Sequence, residues 1–170
     1  MIRFQVENWA DCVAEMREIW PEHWASLALN KDEIKLACDE EKYEQGEASG
    51  NLIIITARVK EECAAHMGGG EDMGCICGER GQLVGYYYGM LLTHLHYKDA
   101  GLMCYTDVYY LKPEHRRGGN GAKFMVAVQQ ILKFRGVVKL YMSTKVHQDN
   151  GALFERLGMK LSDRVFTKML

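Results

Sequence analysis

Residues 102–122 read LMCYTDVYYLKPEHRRGGNGA, and this stretch is the most informative part of the sequence for the fold. Its first half, 102–111, is apolar and aromatic, which is typical of a buried strand. Its second half carries the pattern Arg-x-x-Gly-x-Gly at Arg116, Gly119 and Gly121. An amphipathic helix is predicted to follow over 122–134. The glycines therefore lie where a strand ends and a helix begins.

This junction has the features of an anion site. The first amides of a helix have no intrahelical acceptor, and the helix dipole is positive at that end. A side chain at Gly119 or Gly121 would block the approach of a phosphate or strain the turn. Arg116 and Arg117 add positive charge beside it. We therefore expect the amides of residues 117–122 to bind a phosphate or pyrophosphate.

The rest of the chain alternates between predicted strands and helices. A first helix, capped by Asn8 or Asp11, should end at Trp20 because Pro21 interrupts its pattern. The order is strand, two helices, three strands, helix, strand, helix and strand, with no internal repeat, which indicates a single mixed α/β domain. The predicted strands are 2–6, 52–59, 82–92, 102–111, 137–144 and 165–170, and the later helices are 24–45, 122–134 and 150–157.

The segment 60–81 separates two predicted neighbouring strands and is too long and too rich in glycine for a hairpin turn. We predict a glycine- and cysteine-rich flap there. Cys63 and His66 are spaced Cys-x-x-His, and Cys75 and Cys77 are spaced Cys-x-Cys, so zinc is conceivable. A flap without metal fits the glycines and charges better, and no metal site is predicted.

Composition excludes several classes of protein. The chain has 170 residues, 48% of them hydrophobic and 26% charged, which suits one globular domain rather than a disordered or fibrous chain. Its 21 basic and 23 acidic side chains give a net charge of −2, so it lacks the positive field of a nonspecific nucleic-acid binder. No apolar run is long enough to span a bilayer. Without a signal-peptide pattern we expect a cytoplasmic protein whose six cysteines are reduced and form no structural disulfide.

Two elements of the sequence resemble the GNAT superfamily of acetyl-CoA-dependent N-acetyltransferases. Residues 113–121, Pro-Glu-His-Arg-Arg-Gly-Gly-Asn-Gly, are similar to its acyl-CoA signature Arg/Gln-x-x-Gly-x-Gly/Ala. Residues 150–159, Asn-Gly-Ala-Leu-Phe-Glu-Arg-Leu-Gly-Met, are similar to its Asn-x-x-Ala-x-x-Leu-Tyr-x-x-x-Gly-Phe element. The match covers 102–159. A weaker resemblance, carried by 94–97, 106–108 and 113–117, is to members often encoded by bacteriophages.

The resemblance implies a fold and a co-substrate. The fold is α/β, with a mixed, mostly antiparallel central sheet flanked by helices in one domain over 1–170. The co-substrate is acetyl-CoA. A bulge in the strand before the glycine loop maps to Leu111, whose free amide would polarise the thioester carbonyl. The resemblance assigns to the cofactor Tyr109, Tyr110, Leu111, Arg116, Arg117, Gly118, Gly119, Asn120, Gly121, Ala122, Asn150 and Phe154.

Acetyl transfer to an amine needs a base for the ammonium proton and an acid for the departing thiolate. Asp107, four residues before Leu111 on the same strand, is the predicted base, and His94 is an alternative beside His96 and Tyr97. Phe154 stands where many family members carry the tyrosine that protonates the thiolate, and it cannot donate a proton. The predicted acid is Tyr141, with Tyr109, Tyr110, His147 or water as alternatives.

The resemblance therefore implies an N-acetyltransferase that moves an acetyl group from acetyl-CoA to a primary amine by direct attack in a ternary complex. The acceptor is a small molecule or a protein, no membrane is involved, and open sheet edges allow a homodimer. Two alternatives stay open. A catalytically silent acyl-CoA-binding regulatory module would explain Phe154 and the flap. A phage nucleic-acid-modifying enzyme on the same fold would use the local basic set Lys112, Arg116, Arg117, Lys133 and Arg135, although the net charge opposes it.

Overall fold

A computed structural model of the chain describes residues 1–59 and 80–169. Two 3₁₀ turns, Lys98–Ala100 and Pro113–His115, flank the fourth strand. The candidate zinc ligands Cys63, His66, Cys75 and Cys77 lie outside the described residues. The helices and strands, in chain order, are β1 (Ile2–Val6), α1 (Trp9–Leu27), α2 (Glu40–Ala48), β2 (Leu52–Val59), β3 (Gln82–Thr93), β4 (Leu102–Leu111), α3 (Asn120–Phe134), β5 (Val137–Tyr141) and α4 (Gly151–Arg156).

The five strands form one sheet in the order β1-β2-β3-β4-β5. Strands β1 to β4 are antiparallel neighbours, and β5 runs parallel to β4. Tyr88 of β3 lies opposite Val108 of β4. The next residue, Gly89, lies opposite Thr106, which leaves Asp107 without a partner. Asp107 is therefore the extra residue of a β-bulge.

Helices cover both faces of this sheet. On one face α3 and α4 pack against a core that includes Phe124 and Tyr87. On the other face α1 packs against a core that includes Met16, Tyr86 and Tyr88. The three consecutive tyrosines of β3 are all buried, because successive side chains of a strand point to opposite faces and both faces are covered. The predicted mostly antiparallel α/β fold is confirmed.

Two helices have bounds that differ from the predicted ones. Helix α1 continues through Pro21, because Ile19 and His23 on either side of the proline are both buried and their packing outweighs one lost hydrogen bond. Helix α2 begins only at Glu40. Asp39 caps it by accepting a hydrogen bond from the backbone amide of the third residue of the helix.

The C-terminal strands also differ. Strand β5 ends at Tyr141, three residues before the predicted end at 144, because it pairs with β4 only as far as Tyr105. The predicted last strand is wrong, since 159–169 form neither strand nor helix. The composition of this segment suits a strand, but a strand needs a hydrogen-bonded neighbour, and here Val165 and Phe166 stay exposed.

A buried ion-pair network links strand β2 to helix α1. Arg58 on β2 is 1% exposed. Its guanidinium donates to Glu7 Oε2 at 2.8 Å and to Glu15 Oε2 at 2.7 Å. A further bond to the Gly81 carbonyl, at 2.8 Å, reaches the residue before β3. One side chain thereby connects the residue after β1, helix α1 and the start of β3.

Within residues 1–59 and 80–169, Cys12, Cys38 and Cys104 are free thiols. No group of three or more His, Cys, Asp or Glu side chains in these ranges could hold a metal ion. None of the helices there combines the length and the hydropathy of a membrane span.

Candidate active site

A cavity of about 650 Å³ lies where β4 and β5 separate. The two strands pair only up to Tyr105 and Tyr141, whereas β4 continues to Leu111. The chain after β5 turns away and is joined to the end of α1 by a hydrogen bond from Gln148 Nε2 to the Ser26 carbonyl, at 2.9 Å. The lining comes from both faces of the sheet, so the cavity passes through the gap between the strands.

The backbone of β4 presents free amides to this gap. The Lys112 amide donates to the Val84 carbonyl of β3 at 2.8 Å. Alternate residues of an antiparallel strand bond to the same neighbour, so the amides of Tyr109 and Leu111 point away from β3. On that side the Leu111 carbonyl accepts a hydrogen bond from Arg116 Nε at 2.7 Å. The Leu111 amide is therefore positioned to polarise a carbonyl group in the gap.

Asp107 occupies the bulge of β4, which corrects the predicted position of the bulge at Leu111. Leu111 pairs in register with Gly85, so the strand is regular there. The Asp107 side chain is open to the cavity, yet the surrounding protein desolvates the carboxyl enough to raise its pKa above the ordinary value. It belongs to no ion pair in the described part of the chain. An unpaired carboxylate with a raised pKa suits a general base.

The glycine loop forms the predicted helix start. Gly119 caps α3 in the left-handed conformation, with φ of 75°, where any other residue would be strained. The backbone amides of Gly119, Gly121 and Ala122 donate to no acceptor among the described residues. A side chain added at Gly119 or Gly121 would meet nothing within 4 Å, so the space above these amides is open. Asn120 Nδ2 supports the loop by donating to the His115 carbonyl at 3.0 Å.

The cavity reaches this helix start. Arg116 and Gly121 line it, and the Arg116 guanidinium lies over the Tyr110 ring at 5.3 Å. Arg117 and Gly118 are exposed beside it. Free amides in the gap, free amides at the helix and two arginines therefore follow one another along a continuous path.

Tyr109 and Asn150 form a polar pair in the cavity wall. Asn150 Nδ2 donates to the Tyr109 hydroxyl at 3.0 Å, and both residues line the cavity. Because the hydroxyl accepts this bond, its own proton is free to be donated. Burial raises the pKa of Tyr109, which keeps the hydroxyl protonated near neutrality. Phe154 stands edge-on to Tyr109, with ring centroids 5.9 Å apart, and belongs to the core behind the lining.

The structure separates two predicted catalytic residues from the cavity. The Tyr141 ring stacks on Tyr105, with centroids 4.4 Å apart, and its hydroxyl donates to the Met103 sulfur at 3.9 Å. His94 follows β3 at the opposite end of β4, about 16 Å along the strand from Asp107. Neither residue lines the cavity, so the geometry favours other residues for the two catalytic roles. The same holds for the alternatives His96, Tyr97 and His147.

The sequence interpretation missed His23, which lies on α1 in the cavity wall. Its ring is 8% exposed and stacks on Tyr110, with centroids 4.5 Å apart, and its Nδ1 lies 2.5 Å from the Tyr86 hydroxyl. Burial lowers the pKa of His23 to about 4, so the ring is neutral at pH 7. The sequence did not indicate that His23 lies in a site, because the first helix was predicted to end before Pro21.

The arrangement suits a ligand with a carbonyl at one end and phosphates at the other, which is the chemistry of an acyl-CoA thioester. The class of protein that fold and site define is an acyl-CoA-dependent acyltransferase. Residues 9–159 match the model of the acetyltransferase (GNAT) family, and the chain belongs to that family. Family membership confirms the predicted enzyme class and acetyl-CoA as the co-substrate. The finer resemblance to phage-encoded members stays a prediction.

Solved structures with the same fold have low sequence identity to this chain. An acetyltransferase from Trypanosoma brucei is 12% identical, with a TM-score of 0.66 and 100% of both chains covered. A glucosamine-6-phosphate N-acetyltransferase from Arabidopsis thaliana is 14% identical, with a TM-score of 0.65 and 99% and 98% covered. An aminoglycoside acetyltransferase from an uncultured soil metagenomic sample, in complex with sisomicin, is 13% identical, with a TM-score of 0.67 and 99% and 96% covered. Comparison with curated protein sequences finds no match.

Proposed function

We propose that this chain transfers an acetyl group from acetyl-CoA to a primary amine by direct attack in a ternary complex. The observation that carries the proposal is the cavity in the β4–β5 gap, which joins free amides of β4 to free amides at the start of α3. Family membership supports it. The proposal includes a cytoplasmic location and a homodimer formed through an open sheet edge, since β5 is an edge strand.

The residues present fit acetyl-CoA. The amides of Gly119, Gly121 and Ala122 would hold the pyrophosphate, with Arg116 and Arg117 adding charge. Tyr110, Gly118 and Asn120 would support that loop, and Asn150 would lie near the pantetheine arm. When bound, the thioester supplies an activated acetyl group, and the Leu111 amide would stabilise negative charge that develops on its carbonyl oxygen.

Two side chains of β4, Asp107 and Tyr109, move the protons. Asp107 takes a proton from the acceptor ammonium, directly or through water, and the freed amine forms the new C–N bond as the C–S bond breaks. The Tyr109 hydroxyl gives a proton to the departing sulfur, and the second proton that the nitrogen loses as the amide forms restores the tyrosine through water. Tyr109 thereby provides the hydroxyl that residue 154 lacks, so Phe154 gives no support to a catalytically silent module.

Direct attack is favoured over an acetylated enzyme. Cys38 is the one cysteine among the described residues that lines the cavity. Burial raises the pKa of its thiol above the ordinary value, which keeps it protonated at pH 7. A protonated thiol is a poor nucleophile, so the described part of the chain offers no reactive thiol in the cavity to carry the acetyl group.

The test is release of CoA thiol by the purified protein with acetyl-CoA and a panel of amines. We expect release to depend on both substrates, with intersecting double-reciprocal plots. Parallel plots would indicate a covalent acetyl-enzyme and contradict direct attack. Binding of acetyl-CoA without release for any amine would favour a silent binding module.

A further inference from the structure

The half of the cavity formed by α1, α2, the connection between them and β3 is aromatic and apolar. Leu29 and Ile34, in the α1–α2 connection, are 54% and 52% exposed and extend the apolar surface outside the cavity. The charged side chains that also line the cavity are Asp107 on β4, Arg116 in the loop after β4, and Lys145 and Asp149 in the loop after β5. The principal side chains of this half are Trp20, Trp24, Leu27, Leu36, Tyr43 and Tyr88.

Two carboxyl groups line the cavity, Asp107 and Asp149, and Asp149 Oδ1 already accepts a hydrogen bond from the Gly151 amide at 2.7 Å, which leaves Asp107 as the carboxyl without a hydrogen-bond partner among the described residues. His23 and Tyr43, two ionisable ring side chains of this half, hold no charge at pH 7. Burial lowers the pKa of His23 to about 4 and raises the pKa of Tyr43 to about 12. Asp107 is also a cause of the Tyr43 shift, after burial, and both residues line the cavity. The Asp107 carboxylate therefore stands beside an aromatic wall, formed by Trp20, Trp24, Tyr43 and Tyr88, whose rings carry no charge themselves.

The aromatic wall is held in place by stacking. Trp9, in the core, stacks on Tyr43 with ring centroids 4.7 Å apart and on Trp20 with centroids 6.0 Å apart. Tyr43 also packs against Tyr88, at 5.1 Å. The Trp24 ring already attracts a cation, since Lys31 Nζ lies 5.8 Å from its centroid. Fixed ring faces beside one carboxylate are suited to a cation with an apolar body.

We infer that the acceptor is a monoamine whose ammonium group pairs with Asp107 and whose body is an aromatic or alkyl group packed against the aromatic wall. This inference rests on the proposed function. A sugar amine would bury hydroxyl groups against apolar side chains without hydrogen-bond partners, which costs free energy. A polyamine would bring several charges to one carboxylate. Both should therefore be poorer acceptors.

The test compares kcat/KM, from CoA release, for 2-phenylethylamine and tryptamine with the values for ethanolamine, spermidine and glucosamine. Binding of acetyl-CoA is first measured by calorimetry, so that failure of the proposed function is recognised separately. We expect the aralkylamines to exceed the hydrophilic amines by about tenfold to a hundredfold, which corresponds to burial of one phenyl group.

A variant locates the effect in the wall. Trp24→Leu should lower kcat/KM for 2-phenylethylamine severalfold more than kcat/KM for ethanolamine, and the ratio of the two values is the readout, with the acetyl-CoA dissociation constant measured beside it. Phe134→Leu removes an aromatic ring that is 93% exposed at the end of α3 and serves as the matched control. It should change none of these values.

Each outcome decides one of the two proposals. Faster acetylation of spermidine or glucosamine than of either aralkylamine overturns the inference and leaves the proposed function standing. Acetyl-CoA binding with no turnover of any aralkylamine also overturns the inference. Failure to bind acetyl-CoA overturns the proposed function, and the inference with it.

Discussion

Asp107 and Tyr109 lie two residues apart on β4 and have opposite roles in the proposed mechanism. In a regular strand residues two apart share a face. The bulge at Asp107 breaks this rule. Tyr109 packs against Phe154 on the α3–α4 side, whereas the Asp107 carboxylate is close enough to Tyr43 of α2 to contribute to its raised pKa. The base therefore serves the acceptor half of the cavity, and the acid serves the cofactor half.

Replacement of Asp107 by Asn should lower kcat by about a hundredfold and leave the acetyl-CoA dissociation constant nearly unchanged, because only proton transfer is lost. The base works when ionised, so wild-type kcat should fall as the pH falls through the raised pKa of Asp107. The variant should lose this acidic limb. The pH profile of kcat, with calorimetry for binding, measures both effects, and full activity in the variant would remove Asp107 as the base.

Replacement of Tyr109 by Phe removes the proposed proton donor. We expect kcat to fall by about tenfold or more, since a positioned acid contributes at least that much to a proton-transfer step. Tyr141→Phe is the matched control, because the Tyr141 hydroxyl contacts the Met103 sulfur outside the cavity. Equal rates for the two variants would contradict the assignment of Tyr109.

At the scale of elements, the two glycines at the ends of α3 allow the effect of backbone strain to be distinguished from the effect of blocking the anion site. Gly119, at the start of α3, has φ of 75°, and Gly136, just after its end, has φ of 80°. Neither position has a neighbour within 4 Å of an added Cβ. The two sites are matched in backbone strain and in space, and they differ in their proximity to the free amides.

Gly119→Glu and Gly136→Glu should therefore destabilise the protein by similar amounts, about 1 kcal/mol each from the left-handed backbone. Only Gly119→Glu should abolish acetyl-CoA binding, because its side chain places a negative charge over the amides of the first turn. Thermal unfolding and calorimetry measure the two effects. Retained binding in Gly119→Glu would discredit the phosphate loop.

The elements also show what local sequence can predict. Strands β1, β2 and β4 were predicted with the bounds that the structure has, 2–6, 52–59 and 102–111. The alternation of apolar and polar residues marks β1, and apolar runs mark β2 and β4. The bulge was misplaced because it depends on the register between β3 and β4, which no local pattern encodes. His94 was placed near the acceptor for a similar reason, since only the length of β4 shows that it lies at the opposite end.

At the scale of the whole molecule, the Arg58 network connects three elements of the sheet and α1 through buried charges. Burial alone would raise the pKa of Glu7, but hydrogen bonds from Arg58, Thr56 and Gln5 outweigh it and lower the pKa below its ordinary value of 4.5. A carboxyl with a lowered pKa stabilises the fold when ionised. That contribution is present above pH 4.5 and is lost as the pH falls through the lowered pKa.

Replacement of Glu7 by Gln should reduce the free energy of unfolding by about 3 kcal/mol at pH 7, because it leaves a buried guanidinium short of one partner. Asp11→Asn, which breaks an exposed pair with Arg80, is the control and should cost less than about 1 kcal/mol. Denaturant unfolding at pH 7 and below pH 4 measures both. The difference between wild type and Glu7→Gln should shrink in acid, and a constant difference would contradict the role of the Glu7 charge.

The cavity through the sheet is the feature on which the whole account depends, because it brings the glycine loop, the free amides of β4 and Asp107 to one space. Thermal unfolding with acetyl-CoA, CoA and an adenine dinucleotide tests it directly. A ligand that binds only the folded protein stabilises it by about 2.7 kcal/mol at a hundred times its dissociation constant. We predict a rise in melting temperature with acetyl-CoA and with CoA and none with the dinucleotide. No rise with either CoA species would contradict the account.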